Sequence, residues 1–536
     1  MGVGEFGGHQ GINVGIHMKL FRAPVALACL ALTTLPAAAA PAFRLEEATI
    51  ADVHDAMRAG TLTCHDLVAA YLARIAAYDK QGPALNAIVL TNPNALAEAD
   101  ALDRAFQQRG LSGPLHCVPA IVKDNFETIG LQSAGGSLSL QGFVSNKDAF
   151  QVKRIKDAGA IVLAKSNMAE FAFSPVETVN SLLPGYTRNP YDTSRVTAGS
   201  SGGTAAALAA NFGLIGLGSD TGDSIRGPSS HQALAGIRST MGLTSRAGVI
   251  PLNLLADIAG PMTRTLTDAV KVLQVIAGED PADPVTAAAR ARRIPNYRGA
   301  LVPGGLKGAR IGILHQAYER EPDGVDPDVK AVFAAAVEAL TAAGAVIVDP
   351  AVVNLDQVKR NPDAGPCMGF KYDINNWLAS HGDRIPMKSL DDIVASRKWH
   401  PSIQVRLQTA QASNPQGPGS DACKQEMAYR KAFGDAVTKA MAEMKLDAFV
   451  YPTWSFPPRL IGDLNTPGGD NSQVFSPTSG FPAINVPMGY TRGGKLPAGM
   501  TFFGRAWDEI TLIKLAYGFE QATNHRRPPA STPPLQ

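Results

Sequence analysis

Three side chains able to do chemistry stand at abrupt loop positions. Ser200 and Ser224 lie in two separate glycine-rich turns, and Lys123 ends the apolar run 115–122. A serine hydroxyl is a weak nucleophile at neutral pH and needs a base within hydrogen-bond reach. A lysine desolvated by apolar neighbours can lose its proton and serve as that base. These residue types indicate nucleophilic catalysis, although each of them alone is more often a turn or surface residue.

The first serine segment also matches a different nucleophile motif. Gly199-Ser-Ser-Gly-Gly203 fits the G-x-S-x-G elbow of α/β-hydrolases, in which Ser201 would be the nucleophile of an esterase. That motif requires an apolar strand directly before it, whereas residues 190–195 are polar. It also requires a later histidine, and the candidates stand in no suggestive context: His231, His315, His381, His400 and His525. The esterase is therefore kept as the alternative.

Helical and strand patterns alternate around these residues, which is typical of an α/β fold with crossover connections. Strands are predicted over residues 115–122, 160–164, 214–217, 309–314, 345–348, 448–451, 480–490 and 499–503. Helices are predicted over residues 49–58, 63–79, 93–108, 148–157, 204–211, 265–277, 326–343, 421–444 and 507–522. Because the strand signals spread over the whole chain, they favour a single domain built on one large sheet.

Residues 350–420 form the least periodic part of the chain. Besides Pro350 at its start, six prolines lie within this segment: Pro362, Pro366, Pro386, Pro401, Pro415 and Pro418. Long irregular segments in compact domains are often binding loops. We therefore predict an irregular insertion that packs over the sheet and lines the substrate pocket, together with residues 168–173 and 453–456.

The beginning of the chain resembles a secretory signal peptide. A short basic segment, 18–22, precedes an apolar core, 23–35, and the small residues 37–40 that suit cleavage. We expect a signal peptide over about 18–40, a catalytic domain over 41–536 and a periplasmic or secreted protein. Residues 1–17 look like a cloning remnant or a misassigned start. The apolar core is too short for a membrane span, and no other stretch is long enough.

Composition limits the classes of partner. The chain has 536 residues, 45% of them hydrophobic, and a formal net charge of +2. A charge this small gives no argument for binding nucleic acid or an acidic surface. No P-loop or metal-binding motif is present, so we expect no cofactor and no metal.

Four cysteines remain after the predicted signal peptide: Cys64, Cys117, Cys367 and Cys423. Their spacings match no zinc or C-x-x-C pattern. An exported protein can form disulfides, and we predict Cys367–Cys423 as the favoured pair because both lie in the same irregular region. Cys117 lies in an apolar stretch, so we predict that it is buried and reduced.

Six motifs occur in the order of a known family over roughly residues 44–530. The long ones are Val118-Pro-Ala-Ile-Val-Lys-Asp-Asn125, Ala198-Gly-Ser-Ser-Gly-Gly203 and Gly218-Ser-Asp-Thr-Gly-Asp-Ser-Ile-Arg226. The weaker ones are Lys165-Ser-Asn-Met-Ala-Glu-Phe171, Asp257-Ile-Ala-Gly-Pro-Met262 and Gly480-Phe-Pro-Ala483. The sequence thus resembles the amidase signature family, with most likeness to its exported bacterial peptide and aryl amidases.

The resemblance implies a fold and a set of catalytic roles. The fold is a single large α/β domain whose central mixed, twisted sheet is covered by helices on both faces. The triad comprises Ser224 as nucleophile, Ser200 as bridging serine after a cis peptide bond, and neutral Lys123 as general base. The backbone of Thr221, Gly222, Asp223 and Ser224 would form the oxyanion hole. Three residues would support the triad: Asp220, Arg226 and Ser201.

The resemblance also implies the reaction and its partners. The enzyme would hydrolyse a carboxylic amide through an acyl-enzyme, releasing ammonia or an amine. Its partner would be a small amide, with no nucleic acid or membrane, and it would be a monomer or homodimer. Family members cleave peptide C-terminal amides, aryl amides, fatty amides and carbamates, often with some ester activity, so a carbamate or ester substrate stays open. The amidotransferase branch of the family is disfavoured by the signal peptide.

Two residues depart from the family pattern. Asp223 stands where the family usually has glycine directly before the nucleophile, and Ala198 replaces a frequent glycine. Neither residue belongs to the triad, so activity is still expected. The substitution at Asp223 is the one feature that favours a binding protein without catalysis.

Overall fold

The computed structural model of the protein describes residues 1–2, 11–20, 43–174, 179, 181–319 and 324–535. The chain divides into two units, Met1–Pro41 and Ala42–Gln536. Residues 1–2 and 11–20 have no regular secondary structure. Most of the predicted signal peptide, residues 21–40, lies outside the described residues.

The described part of Ala42–Gln536 contains eleven strands and sixteen helices. The strands are β1 Ile88–Thr91, β2 Pro119–Lys123, β3 Ile161–Ser166, β4 Ile215–Asp220, β5 Ala235–Arg238, β6 Ile258–Thr263, β7 Arg310–Ile313, β8 Val346–Val348, β9 Ala448–Pro452, β10 Ala483–Thr491 and β11 Leu496–Phe503. The first eight helices are α1 Ile50–Arg58, α2 Cys64–Tyr78, α3 Ala95–Arg109, α4 Phe150–Asp157, α5 Gly202–Ala209, α6 Arg226–His231, α7 Leu266–Ile276 and α8 Ala287–Arg290. The others are α9 His315–Tyr318, α10 Pro327–Ala342, α11 Phe370–His381, α12 Leu390–Ser396, α13 Gln404–Ala412, α14 Asp421–Glu443, α15 Phe475–Ser479 and α16 Glu509–Thr523.

Local sequence signals explain where several helices begin. Thr49, Thr63 and Thr265 each precede a helix, and each side chain accepts a hydrogen bond from the backbone N–H of an aspartate three residues later. Such caps satisfy N–H groups that have no partner within the helix.

All eleven strands form one mixed sheet in the order β1-β3-β2-β4-β6-β5-β10-β11-β9-β7-β8. Strands β3, β2 and β4 are parallel, as are β9, β7 and β8, and antiparallel pairs join the two groups. Every residue of β2, β3 and β4 is buried. Because successive side chains of a strand point to opposite faces, this pattern means that both faces of the sheet are covered. The predicted α/β domain with a mixed, covered sheet is confirmed.

The parallel strands β2, β3 and β4 position the chemistry. Their carboxyl ends lie at the same edge of the sheet, where polar side chains follow the apolar strands. Lys123 is the last residue of β2, and the turn with Ser224 follows β4.

The structure corrects two predictions of secondary structure. Strands β1, β5 and β6 were not predicted, because they are short or contain glycine and proline, as in Ile258-Ala-Gly-Pro-Met-Thr263. The segment 350–420 is not irregular, since it contains helices α11, α12 and α13. These helices have 12, 7 and 9 residues and are separated by prolines and glycines. Each is too short to show a clear helical period of apolar residues in the sequence. They pack together in an apolar cluster that includes Phe171 and Phe370.

The described residues contain two disulfides. Cys367 pairs with Cys423 as predicted, with Cα atoms 4.6 Å apart. Cys117 is buried, but the prediction that it is reduced is wrong, because it pairs with Cys64 across 5.6 Å between Cα atoms. The two residues are far apart in sequence and meet only because the start of α2 packs beside the residues that lead into β2.

None of the helices in the described residues combines the length and the apolar character needed to cross a lipid bilayer.

Candidate active site

Lys123 is completely buried at the carboxyl end of β2. Its Nζ lies 2.7 Å from Ser200 Oγ, 2.9 Å from Ser219 Oγ and 3.3 Å from the Ser219 carbonyl oxygen. Burial lowers the pKa of Lys123 to about 7, although the negative charges of Asp220 and Asp257 oppose this shift.

These three contacts match the bonding capacity of a neutral amine. A neutral lysine has two N–H donors and one lone pair, so it can donate to both oxygens of Ser219 and accept from the Ser200 hydroxyl. The Ser219 hydroxyl also accepts a hydrogen bond from Asn125 Nδ2 at 3.0 Å. The surroundings of Lys123 therefore favour a base directed at Ser200.

Ser200 is buried directly before helix α5, and the Gly199–Ser200 peptide bond is cis. The glycines that follow it are required by close packing. A Cβ on Gly202 would lie 2.1 Å from Thr197 Oγ1, and one on Gly203 would lie 2.2 Å from the Asn167 carbonyl oxygen. Real Cβ atoms do not approach so closely, which explains the Gly-Gly pair of this motif.

Ser224 lies in the turn between β4 and α6 and is 6% exposed, at the wall of a cavity of about 410 Å³. Its carbonyl oxygen accepts a hydrogen bond of 3.2 Å from the Ser201 backbone N–H, which ties the two serine segments together. Within the described residues, no hydrogen bond joins the hydroxyls of Ser200 and Ser224. Catalytic hydrogen bonds are often long before substrate binds.

The turn before the nucleophile presents free N–H groups. Among the described residues, the backbone N–H groups of Gly222, Asp223 and Ser224 donate to no acceptor. The Thr221 hydroxyl donates to Asp257 Oδ1, which holds the start of the turn. Unpaired donors beside a nucleophile suit a developing oxyanion.

A buried ion pair supports this turn. Arg226 Nε donates to Asp220 Oδ2 at 3.1 Å, and both side chains are fully buried. Arg226 also donates to the Gly222 carbonyl oxygen inside the turn. Burial alone would raise the pKa of Asp220, but Arg226 and Arg238 lower it to about 2. Asp220 and Arg226, which the sequence analysis named as residues supporting the triad, therefore form an ion pair with each other.

The two departures from the family motif fit the local backbone. Ala198 has φ of 57°, a conformation that favours glycine, and this accounts for the glycine that is frequent there. Asp223 has no positive φ, so its backbone does not require glycine. Its carboxyl group is buried beside Gly227 and Trp454, and a Cβ on Gly227 would lie 2.1 Å from Asp223 Oδ2.

Ser201 has no catalytic surroundings. Its hydroxyl is buried and donates to the Ser219 carbonyl oxygen at 3.1 Å. No strand of the described residues leads directly into residues 199–203, and no histidine hydrogen-bonds to Ser201. The geometry therefore does not support Ser201 as the nucleophile of an elbow.

The cavity at Ser224 has apolar and cationic walls. Phe173 and Phe370 contribute aromatic surface, while Arg406 and Arg430 contribute cationic groups. Phe370 and Arg406 belong to segment 350–420, so this segment contributes to the cavity wall. Residues 172–173 also line it, whereas residues 453–456 do not.

Sequence reasoning missed three residues that hold the site. Arg238 donates to Asp220 Oδ1 at 3.0 Å, Ser219 contacts Lys123, and Asp470 contacts Asp223. The sequence did contain a signal for Arg238, because it ends the apolar segment Leu234-Ala-Gly-Ile-Arg238. A buried arginine needs an acidic partner, so its position predicted an ion pair. Asp470 stands in a polar loop that gives no signal.

Comparisons with known proteins identify the family of the chain. The profile of the Amidase family matches residues 66–513. A probable amidase of Arabidopsis thaliana is 34% identical over 515 residues, covering 91% of this chain and 92% of the relative. A glutamyl-tRNA(Gln) amidotransferase subunit of Moorella thermoacetica is 33% identical over 502 residues, covering 90% of this chain and 98% of the relative.

Among solved structures, the native peptide amidase of Stenotrophomonas maltophilia superposes with a TM-score of 0.80 at 37% identity, covering 91% of this chain and 99% of that chain. An amidase family protein of Bacillus anthracis gives a TM-score of 0.79 at 30% identity, covering 90% of this chain and 92% of that chain. The chain therefore belongs to the amidase family, whose signature motifs its sequence carries, and it is an amide-hydrolysing enzyme.

Proposed function

We propose that the protein hydrolyses amides with Ser224 as nucleophile, Ser200 as bridging serine and Lys123 as general base. The observation that carries this proposal is the hydrogen bond of 2.7 Å between buried Lys123 and Ser200. The Ser224 hydroxyl attacks the carbonyl carbon while its proton passes to Ser200, and the Ser200 proton passes to Lys123. The proton returns by the same route to the leaving amine. Water then cleaves the acyl-enzyme in the same way.

The turn before Ser224 stabilises the charge that develops on the carbonyl oxygen. In this proposal the N–H groups of Gly222, Asp223 and Ser224 donate to that oxygen. Support comes from the contacts that brace the turn, since Asp257 holds Thr221 and Arg226 holds Gly222. A donor held in place before the reaction begins needs no reorganisation during it, and removing one such donor costs about 3 kcal/mol in other hydrolases.

The substrate proposal follows from the cavity. Its aromatic walls at Phe173 and Phe370 suit an apolar acyl group or an aryl amine. The similar protein from Stenotrophomonas maltophilia is named a peptide amidase, so peptide amides should be among the first substrates assayed. The same assay should include anilides, carbamates and esters with matched acyl groups. Turnover of amides and anilides is expected. Hydrolysis confined to esters would contradict the proposal.

The pH dependence of hydrolysis should report Lys123. Catalysis needs the neutral amine, and burial lowers the pKa of this lysine from 10.5 to about 7. We expect kcat/KM for an uncharged anilide to rise about tenfold per pH unit below pH 7, and to stop rising once the amine is largely neutral. Initial rates from pH 5 to pH 9 measure this rise. A flat profile over that range would argue against a lysine base.

We also propose that the protein is exported. The sequence pattern over residues 18–40 supports this, and so do two disulfides, which persist mainly in oxidising compartments. When residues 18–536 are expressed in a bacterial host, we expect active protein in the periplasm or medium with a new N-terminus near residue 41. N-terminal sequencing measures this. An uncleaved, cytoplasmic active protein would contradict export.

A further inference from the structure

Two carboxyl groups meet behind the nucleophile turn. Asp223 is 4% exposed, and its carboxyl group makes a hydrogen-bond contact with that of Asp470. The Oδ2 atoms of both residues are buried. Asp470 stands in a covering loop, residues 470–473, where its Oδ1 accepts the Ser472 N–H at 2.9 Å. This contact, called the carboxyl pair below, joins two loops that are distant in sequence.

The covering loop touches the nucleophile turn at further points. Arg226 donates to the carbonyl oxygens of Gly222 and Ser472, and so bridges the two segments. A Cβ on Gly222 would lie 3.1 Å from the Gln473 side chain. The covering loop is therefore packed directly against the nucleophile turn.

Two buried carboxyl groups in contact cannot both be ionised without strong repulsion, whereas one shared proton gives a hydrogen bond. We propose that Asp223 and Asp470 share one proton and that this hydrogen-bonded pair positions the N–H groups of the nucleophile turn. The inference rests on the proposed function, because it assigns Asp223 a positioning role in that same site. It also gives a physical reason for an aspartate where related sequences have glycine.

The charges around the pair favour the shared proton. The ionisable groups that interact with it are Lys123, Asp220, Arg226 and Tyr451. The charge of Arg226 lowers the pKa of both carboxyl groups, but Arg226 forms its ion pair with Asp220, at 3.1 Å. Burial and the charge of Asp470 raise the pKa of Asp223 well above its usual range, and burial raises the pKa of Asp470 to about 6. His231 contacts Trp454, which lies beside Asp223, and stays neutral because burial lowers its pKa to about 3.

The consequence is a loss of activity at alkaline pH. When the shared proton leaves, two adjacent carboxylates repel each other, the covering loop separates from the turn, and the oxyanion donors lose their alignment. The loss should appear in kcat with little change in KM, because these donors act in the transition state. It should also be reversible when the enzyme returns to pH 8.

The test compares kcat at pH 10 with kcat at pH 8 for an uncharged anilide, within each variant. We expect the wild-type ratio to fall below 1 by more than about twofold. In Asp223→Asn and Asp470→Asn, an amide donates the same hydrogen bond without a titrating proton, so their ratios should stay within about twofold of 1. Melting temperatures at both pH values show whether each variant is folded.

Glu520→Gln is the matched control. Glu520 is another carboxyl group whose pKa burial raises, to about 7, but it accepts from the Leu266 N–H near the end of α16, away from the turn. The ratio of kcat at pH 10 to kcat at pH 8 in Glu520→Gln should equal that of the wild type. A wild-type ratio near 1, or Asn variants that both decline like the wild type, would overturn the inference. Undiminished turnover by Ser224→Ala would instead overturn the proposed function, so the two failures are distinguishable.

Discussion

Replacing Ser224 with alanine should lower kcat for a chromogenic anilide by at least about 10⁴-fold, with KM changed little. In the proposed mechanism the hydroxyl of Ser224 forms the acyl-enzyme, and the other hydroxyl of the turn, that of Thr221, is held by Asp257. Serine hydrolases that lose their nucleophile retain only the catalysis that binding and the oxyanion hole supply. Substrate should still bind, because the aromatic cavity walls at Phe173 and Phe370 are unchanged.

Ser201→Ala is the control for this experiment. Ser201 lies in the same buried region, but its hydroxyl donates to the Ser219 carbonyl oxygen rather than to Lys123. We expect the variant to keep at least about a tenth of wild-type kcat. Burst kinetics would strengthen the comparison, since a rapid release of aniline in the wild type and none in Ser224→Ala would report the acyl-enzyme. The reverse pattern, with Ser201→Ala inactive and Ser224→Ala active, would favour the esterase elbow.

The triad candidates were predictable from sequence because each lies in a local motif. Lys123 ends an apolar strand, and Ser200 and Ser224 stand in turns whose glycines are dictated by close packing, as at Gly202 and Gly203. Because close packing admits only glycine at these positions, the requirement is visible in the residues next to the serine. Sequence alone could therefore place these side chains at element ends that meet at one edge of a sheet.

The supporting residues could not be predicted, because their roles depend on contacts between distant segments. Arg238 reaches Asp220 only after β5 pairs beside β6, and Asp470 reaches Asp223 only after the covering loop packs on the turn. Cys64 was missed as the partner of Cys117 for the same reason. In segment 350–420, helices of 7 to 12 residues gave too few turns to show a period.

Replacing Lys123 tests the base. Lys123→Ala should lower kcat/KM at pH 8 by at least about 10³-fold, because Ser200 would lose the group that takes its proton. Lys123→Arg is the sharper variant: a guanidinium can donate to the oxygens of Ser200 and Ser219, but it has no lone pair to accept the Ser200 proton and cannot lose its own proton at any pH of the assay. It should therefore be as inactive as Lys123→Ala even where both remain folded, and raising the pH should restore nothing.

Lys165→Met is the matched control for these variants. Lys165 is also fully buried, and burial lowers its pKa to about 8, but its Nζ donates to the Phe126 carbonyl oxygen and to Ser133 Oγ and touches neither triad serine. Its loss should lower the melting temperature more than it lowers kcat, and should leave the rise of kcat/KM near pH 7 in place. Lys123→Ala should instead abolish that rise. If Lys123→Arg kept more than about a tenth of wild-type activity, a neutral amine at this position would not be the base, and the proton of Ser200 would need another acceptor.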